Sequence, residues 1–263
     1  MRRFGTDSSH WYTQDGMPLH SVTGANGKER PTTLADARKR GLLPSVTNIL
    51  GVVNKPALLE WKMKQVIEAA LTLPQEPGEA TDVFYDRVVV DALAYTERAA
   101  SFGTDVHEMC ALLLMGKTEG WSPEVEPWAA HVRDWIAERV GSVMFVERTV
   151  TNAVEGYAGT ADAWVFDREG GQVLVDFKTQ GVKEGKAPSI YEDWAPQLAA
   201  YRATLATYQK VSCMSVVIGS RVPAPLVEHI WPADAITEGW AAFKGAATVW
   251  RWQKGFDPRR VVA

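Results

Sequence analysis

Several things are scarce in this chain. Cysteine occurs twice in 263 residues, at Cys110 and Cys213. Two are too few for a four-cysteine iron–sulfur cluster or a disulfide framework, so no iron–sulfur cluster is expected and free thiols are. No apolar run approaches the ~20 residues that cross a bilayer, so no membrane partner is expected. The start, "MRRFGTDSSHWYTQDG", holds two arginines with no apolar segment behind them. It does not read as a secretory signal, and a cytoplasmic setting is the expectation. Positive charge is also in short supply: 28 Lys and Arg stand against 32 Asp and Glu, a net charge of −4. That excludes a surface coated in basic charge, but not a local basic groove beside an acidic centre. The clusters Arg38-Lys39-Arg40 and Arg259-Arg260 read as solvated surface.

What is present is an ordinary globular composition, 46% hydrophobic and 23% charged, at a length that suits one large domain or a core with an added lobe. Residues 1–43 are polar and broken by "DG", "TGANGK" and "RPTT". "PSVTNIL" offers Ser45 as a helix cap, and a helical pattern follows from Ala57 to Leu71. After the loop "PQEPGEATD", helical spacing runs from 82 to 115 with a break expected near Gly103, and a further helix covers Pro127 to Val140. The pattern changes after Gly141. "SVMFVERTVT", "AGTADAWVFD" and "GQVLVDFKT" have strand character, the last two joined by the turn signal "REGG". A helix from about Tyr191 to Tyr208 comes next, then the strands "CMSVVIG" and "LVEHIW", then a tryptophan-rich helix over 234–254. This order implies an α/β fold with a mixed β-sheet.

The end of the third strand is unusual for a buried element. In "VLVDFKT", alternation puts Asp176 and Lys178 on one face and Val175 and Phe177 on the other. A salt-bridged strand end is one reading. The hairpin adds another: with the turn centred near Glu169 and Gly170, Asp162 falls opposite the 176–178 region, and opposed Cβ atoms lie about 5 Å apart. Two carboxylates that close call for positive charge between them. A hard divalent cation such as Mg²⁺ fits that place, and paired acids beside a lysine suit metal-assisted phosphodiester hydrolysis.

"GYAGTADAWVFD", "VLVDFKT" and "QLAAY", in that order, resemble the PD-(D/E)xK nuclease superfamily in its RecB-like exonuclease branch. The pattern of that branch is an acid on the second core strand, acid-x-Lys on the third and Gln-x-x-x-Tyr on the next helix. These fall on Asp162, on Asp176 and Lys178, and on Gln197 and Tyr201. The upstream helical G-x-x-x-H is matched by "GTDVH", ending in His107. "PSVTNIL" and "LLEWK" are similar to the front of mitochondrial genome maintenance exonucleases and related phage exonucleases, so the likeness spans about residues 44–220. The third-strand acid is Asp where the branch commonly has Glu. No phosphate-binding G-x-x-x-x-G-K-[ST] loop is present, so any unwinding motor is a separate protein.

The resemblance implies a PD-(D/E)xK restriction-endonuclease-like core over 141–263, with a mixed sheet flanked by helices. It further implies a helical N-terminal lobe over 44–140 carrying His107, preceded by the polar segment 1–43. Its implied chemistry is Mg²⁺- or Mn²⁺-dependent exonuclease action on DNA in replication, recombination or repair, with a strand-annealing or helicase partner. His107, Asp162, Asp176 and the Phe177 backbone carbonyl are the implied metal ligands, with Glu147 a further acid of the site. Lys178 assists the water or the developing phosphate charge, and Gln197 and Tyr201 orient it or touch the backbone. Each has a structural alternative: a core histidine among Val106, Met109, Cys110 and Leu113, an edge acid at Asp162, an interhelical pair at Gln197 and Tyr201. Two other functions use or retain the same residues, a structure-specific endonuclease and a non-catalytic nucleic-acid-binding scaffold. Most of the eleven tryptophans are expected in the core, with one or two stacking on unpaired bases.

Overall fold

A computed structural model describes residues 10–183 and 185–259. The N-terminal residues 1–9 and Arg260, both read above from sequence, lie outside the described residues. The front of the chain forms β1 (Trp11–Tyr12), β2 (Ser21–Thr23), β3 (Glu29–Pro31), α1 (Leu34–Arg40) and β4 (Leu43–Pro44). β1 pairs with β4 and β2 with β3, both antiparallel. Polar as the segment is, several of its apolar residues are in the core: Trp11, Ala37 and Leu42 are buried in one cluster with Trp250 near the other end of the chain.

Ser45 caps α2 (Val46–Leu50), its hydroxyl accepting from the Asn48 N–H at 3.0 Å. α3 (Pro56–Thr72) and α4 (Thr81–Leu114) form an antiparallel arm around a small cluster of Ala69, Val88 and Ala92. The break expected near Gly103 does not occur. α4 runs through it for 34 residues, because Val106, Met109, Cys110 and Leu113 are buried against the sheet. That burial outweighs the ~1 kcal/mol cost of one helical glycine. Gly103 is also a contact point: a Cβ there would lie 3.1 Å from Thr179 Oγ1.

α5 (Glu126–Arg139) leads into β5 (Val140–Asn152), β6 (Tyr157–Asp167) and β7 (Gln172–Gln180); then come α6 (Trp194–Arg202), β8 (Val211–Gly219), β9 (Val227–Trp231) and α7 (Ala233–Lys254). α6 is shorter than the helix expected from Tyr191 to Tyr208, since the Thr204 hydroxyl bonds the Tyr201 carbonyl at 2.7 Å and the chain leaves the helix there. The five strands make one mixed sheet in chain order, with β7 and β8 parallel and the other pairs antiparallel. α6 makes the crossover that the parallel pair requires.

Helices cover both faces. α4 and α5 bury Val173, Val175, Phe177 and Val216, while α6 and α7 bury Leu174, Cys213 and Val217. The fold is thus mixed α/β, a five-stranded mixed sheet flanked by helices. Among the described residues no helix is long and apolar enough to cross a membrane. The Arg38 guanidinium bonds the Lys254 carbonyl, and Arg259 pairs with Asp257.

Candidate active site

The β6–β7 hairpin sets the site. Asp167 closes its turn, accepting from the N–H groups of Glu169 at 3.0 Å and Gly171 at 2.7 Å. The register pairs Ala163 with Val175 and Phe166 with Gln172. It is centred on Glu169 alone, so its continuation puts Asp162 opposite Asp176. The ladder stops at Ala163–Val175, and beyond it a side chain takes over: Asp162 Oδ2 accepts the Phe177 N–H at 2.7 Å. In an extended strand the N–H and C=O of one residue point the same way, so the Phe177 carbonyl also faces Asp162. The Phe177 ring goes to the opposite, buried side, edge-on to Trp135.

Asp162 lies at a seam. Ala161 belongs to the buried cluster under α6 and α7, and Ala163 to the one under α4 and α5. Groups reach Asp162 from both. From α4 comes His107, Nδ1 3.4 Å from Asp162 Oδ2. From β5 comes Glu147, and ligand atoms of His107, Glu147 and Asp162 all lie within 4.8 Å of one another. Glu147 is the only non-glycine among the described residues with a positive φ, 44°. Such a conformation is uncommon away from glycine and concentrates at functional sites.

On the other side of Asp162, three side chains form a closed cycle. Lys178 Nζ lies 2.7 Å from Asp176 Oδ2, Lys178 donates to Gln197 Oε1 at 3.1 Å, and Gln197 Nε2 donates to Asp176 Oδ1 at 3.1 Å. Asp176 is 2% exposed, and despite the nearby ammonium its Oδ2 accepts no well-formed hydrogen bond. Tyr201, one turn after Gln197, packs its ring on Gly159, where a Cβ would sit 2.7 Å from Cε1. Lys178 also lies 5.9 Å from the centre of the Trp194 ring.

Charges in the site are mutually tuned. Burial works against a charge on His107, but the Asp162 carboxylate beside it holds its pKa up at about 8. Glu147 is exposed as a residue, yet partial desolvation of its carboxylate raises its pKa to about 7, with the Asp162 charge adding to the shift. Asp176 is raised to about 6, chiefly by burial, with Lys178 opposing and Asp162 reinforcing. Asp162 is itself buried, which works against its charge, yet His107, Lys178 and the Phe177 N–H together keep its pKa below the usual value.

All the residues singled out from sequence therefore lie in one neighbourhood, in two groups that meet at Asp162: His107 and Glu147 on one side, Asp176, Lys178 and Gln197 on the other, with Tyr201 behind. A feature not foreseen is a groove of about 1100 Å³ that reaches Lys178, walled by α3 and α4 and by residues of the β7–α6 connection. Its lining is spread from Asn54 to Arg221, so no local sequence pattern signals it.

No protein-family model matches the chain, and no curated protein matches it. Its backbone is similar to the crystal structure of SSO0001, with a TM-score of 0.36 and 15% identity over 74% of this chain and 86% of that one. A likeness at that level carries no argument about fold family or activity.

Proposed function

We propose that the protein is a Mg²⁺- or Mn²⁺-dependent nuclease of the PD-(D/E)xK type, acting as a DNA exonuclease. The observation that carries the reading is the meeting, at Asp162, of an acid–imidazole cluster with the Asp176–Lys178–Gln197 cycle. The donor set fits a hard or borderline divalent ion: carboxylates from Asp162 and Glu147 and a nitrogen from His107. Asp176, which lies across Asp162 from that cluster and pairs with Lys178, and the Phe177 carbonyl are the further oxygens this reading draws on. When bound, the ion supplies Lewis-acid polarisation of a phosphate and a more acidic attacking water.

The chain's own residues do the rest. Gln197 accepts from Lys178 and donates to Asp176, so it fixes the ammonium at one point of the site. A fixed ammonium stabilises negative charge developing on a phosphate and orients the attacking water, without reorganisation during the reaction. His107 and Glu147 must give up their protons to serve as ligands. A strand reaching Lys178 runs between α3–α4 on one side and the β7–α6 connection on the other; action at strand ends is what the resemblance of the sequence motifs implies.

The test is digestion of end-labelled linear DNA and closed single-stranded circles in Mg²⁺, Mn²⁺ or EDTA. Metal-dependent loss of linear strands only is the expected result. Cutting of circles at the same rate moves the assignment to an endonuclease using the same residues. Binding without degradation in either metal leaves a scaffold.

A further inference from the structure

We propose that the groove leading to Lys178 is a channel for an unpaired DNA strand, with Trp61, Tyr95 and Tyr191 as its base-stacking residues. The inference rests on the nuclease reading and names its substrate. Two aromatic pairs face the groove from different elements. Trp61 of α3 and Tyr95 of α4 have ring centroids 6.2 Å apart, and Tyr191 meets Trp194 edge-on at 5.4 Å. Tyr95 is 45% exposed and Tyr191 37%, large rings left open to solvent along a concave surface. Trp194 connects the second pair to the site, because Lys178 lies over its ring.

The charge of the lining runs against that of the whole protein. With a net charge of −4 overall, the described residues of the groove include six Lys or Arg and three Asp or Glu. One of those acids, Asp193, is paired with Lys55 at 2.9 Å, which ties the start of α3 to the start of α6. Arg98 lies over Tyr95 at 5.9 Å, and Lys183, Lys186 and Arg221 line the same groove. A basic track interleaved with aromatic rings is the arrangement that holds single strands: cations take the phosphates and rings take the bases, with little regard to sequence. In a duplex the base faces are already stacked on one another, so these rings would have nothing to meet. The strand then passes Tyr191 and Trp194 and presents its backbone at Lys178.

The experiment is equilibrium binding in EDTA, where no cleavage occurs, of labelled oligothymidine about 20 nucleotides long and of a hairpin duplex of similar charge. The wild type is expected to hold the single strand about tenfold or more tighter. Tyr95→Ala and Tyr191→Ala are each expected to weaken it about fivefold or more while changing duplex affinity less than twofold. Trp252→Ala removes an exposed ring outside the groove and is expected to change neither. Equal affinity for the two forms, or tyrosine variants that bind like the wild type, overturns the channel. Degradation that depends on Lys178, without any single-strand preference, overturns the channel and leaves the nuclease standing. A tyrosine-dependent preference without degradation in any metal supports the channel and overturns the nuclease.

Discussion

Asp162 and Phe177 are joined across neighbouring strands by a bond that replaces the sheet ladder where it ends, carboxylate Oδ2 to backbone N–H at 2.7 Å. The same oxygen is the one that His107 approaches. The carboxylate therefore has two duties, closing the sheet edge and serving the site, and the two separate by mutation. Asp162→Asn keeps an acceptor for the Phe177 N–H but loses the charge. We expect it to fold like the wild type and to lose Mn²⁺ binding. Asp162→Ala leaves a buried N–H without its acceptor and is expected to cost about 1–3 kcal/mol in chemical denaturation of the metal-free protein.

Lys178 and Gln197 differ in kind. Removing the ammonium with Lys178→Ala is expected to lower kcat about 10²–10³-fold, as loss of a preorganised donor does. Gln197 acts through its neighbours, so Gln197→Ala is expected to lower kcat about 10- to 100-fold with KM little changed. A large KM effect instead would place Gln197 on the substrate. Steady-state kinetics on a linear oligonucleotide reads both.

Metal affinity is expected to rise with pH. In the metal-free protein at neutral pH, His107 at about 8 is mostly protonated and Glu147 at about 7 is about half protonated, and each binds a cation only after losing its proton. Calorimetry in buffers of different ionisation enthalpy should show protons released on Mn²⁺ binding at pH 6.5, and few above pH 8.5. Glu147→Gln should remove part of that release. Without metal the sign for stability is the opposite. His107 is raised above its usual ~6.5, so its pairing with Asp162 stabilises the fold fully below that value and is lost as pH rises through about 8.

Two glycines mark close approaches with different consequences. A Cβ on Gly159 would meet the Tyr201 ring at 2.7 Å, and one on Gly239 of α7 would meet the Ala195 backbone at 2.9 Å. Either alanine variant is expected to cost about 1–3 kcal/mol by overpacking, read by thermal or denaturant unfolding. Gly159→Ala should also depress activity, because the ring it displaces belongs to the residue behind Gln197. Gly239→Ala presses on the Ala195–Pro196 backbone just before Gln197 and is expected to lower kcat less than Gln197→Ala does.

The parts of this structure that sequence makes legible are those written in short range. The "REGG" turn and the strand alternation put Asp162, Asp176 and Lys178 within reach of one another, with the register centred one half-residue from the expected place. Gln197 and Tyr201 share a helix face through their spacing of four. What sequence does not show depends on tertiary packing. Burial of α4 against the sheet carries the helix through Gly103, and the Thr204 hydroxyl ends α6 early. Trp11 and Leu42 in a polar segment are buried against elements more than 100 residues away. The positive φ of Glu147 has no local signature, since the neighbouring residues read as an ordinary strand. The basic groove gathers single residues from five separate stretches and is hidden behind an acidic total charge.

The most direct test of the central claim is the release of acid-soluble nucleotides from labelled linear single-stranded DNA in Mn²⁺, comparing the wild type with Asp176→Asn and Lys178→Ala. Release by the wild type that stops with EDTA and falls at least about 10²-fold in both variants is the result expected. Equal release by all three proteins would contradict it, and the Asp176–Lys178 pair would then be only the salt bridge at the end of a buried strand.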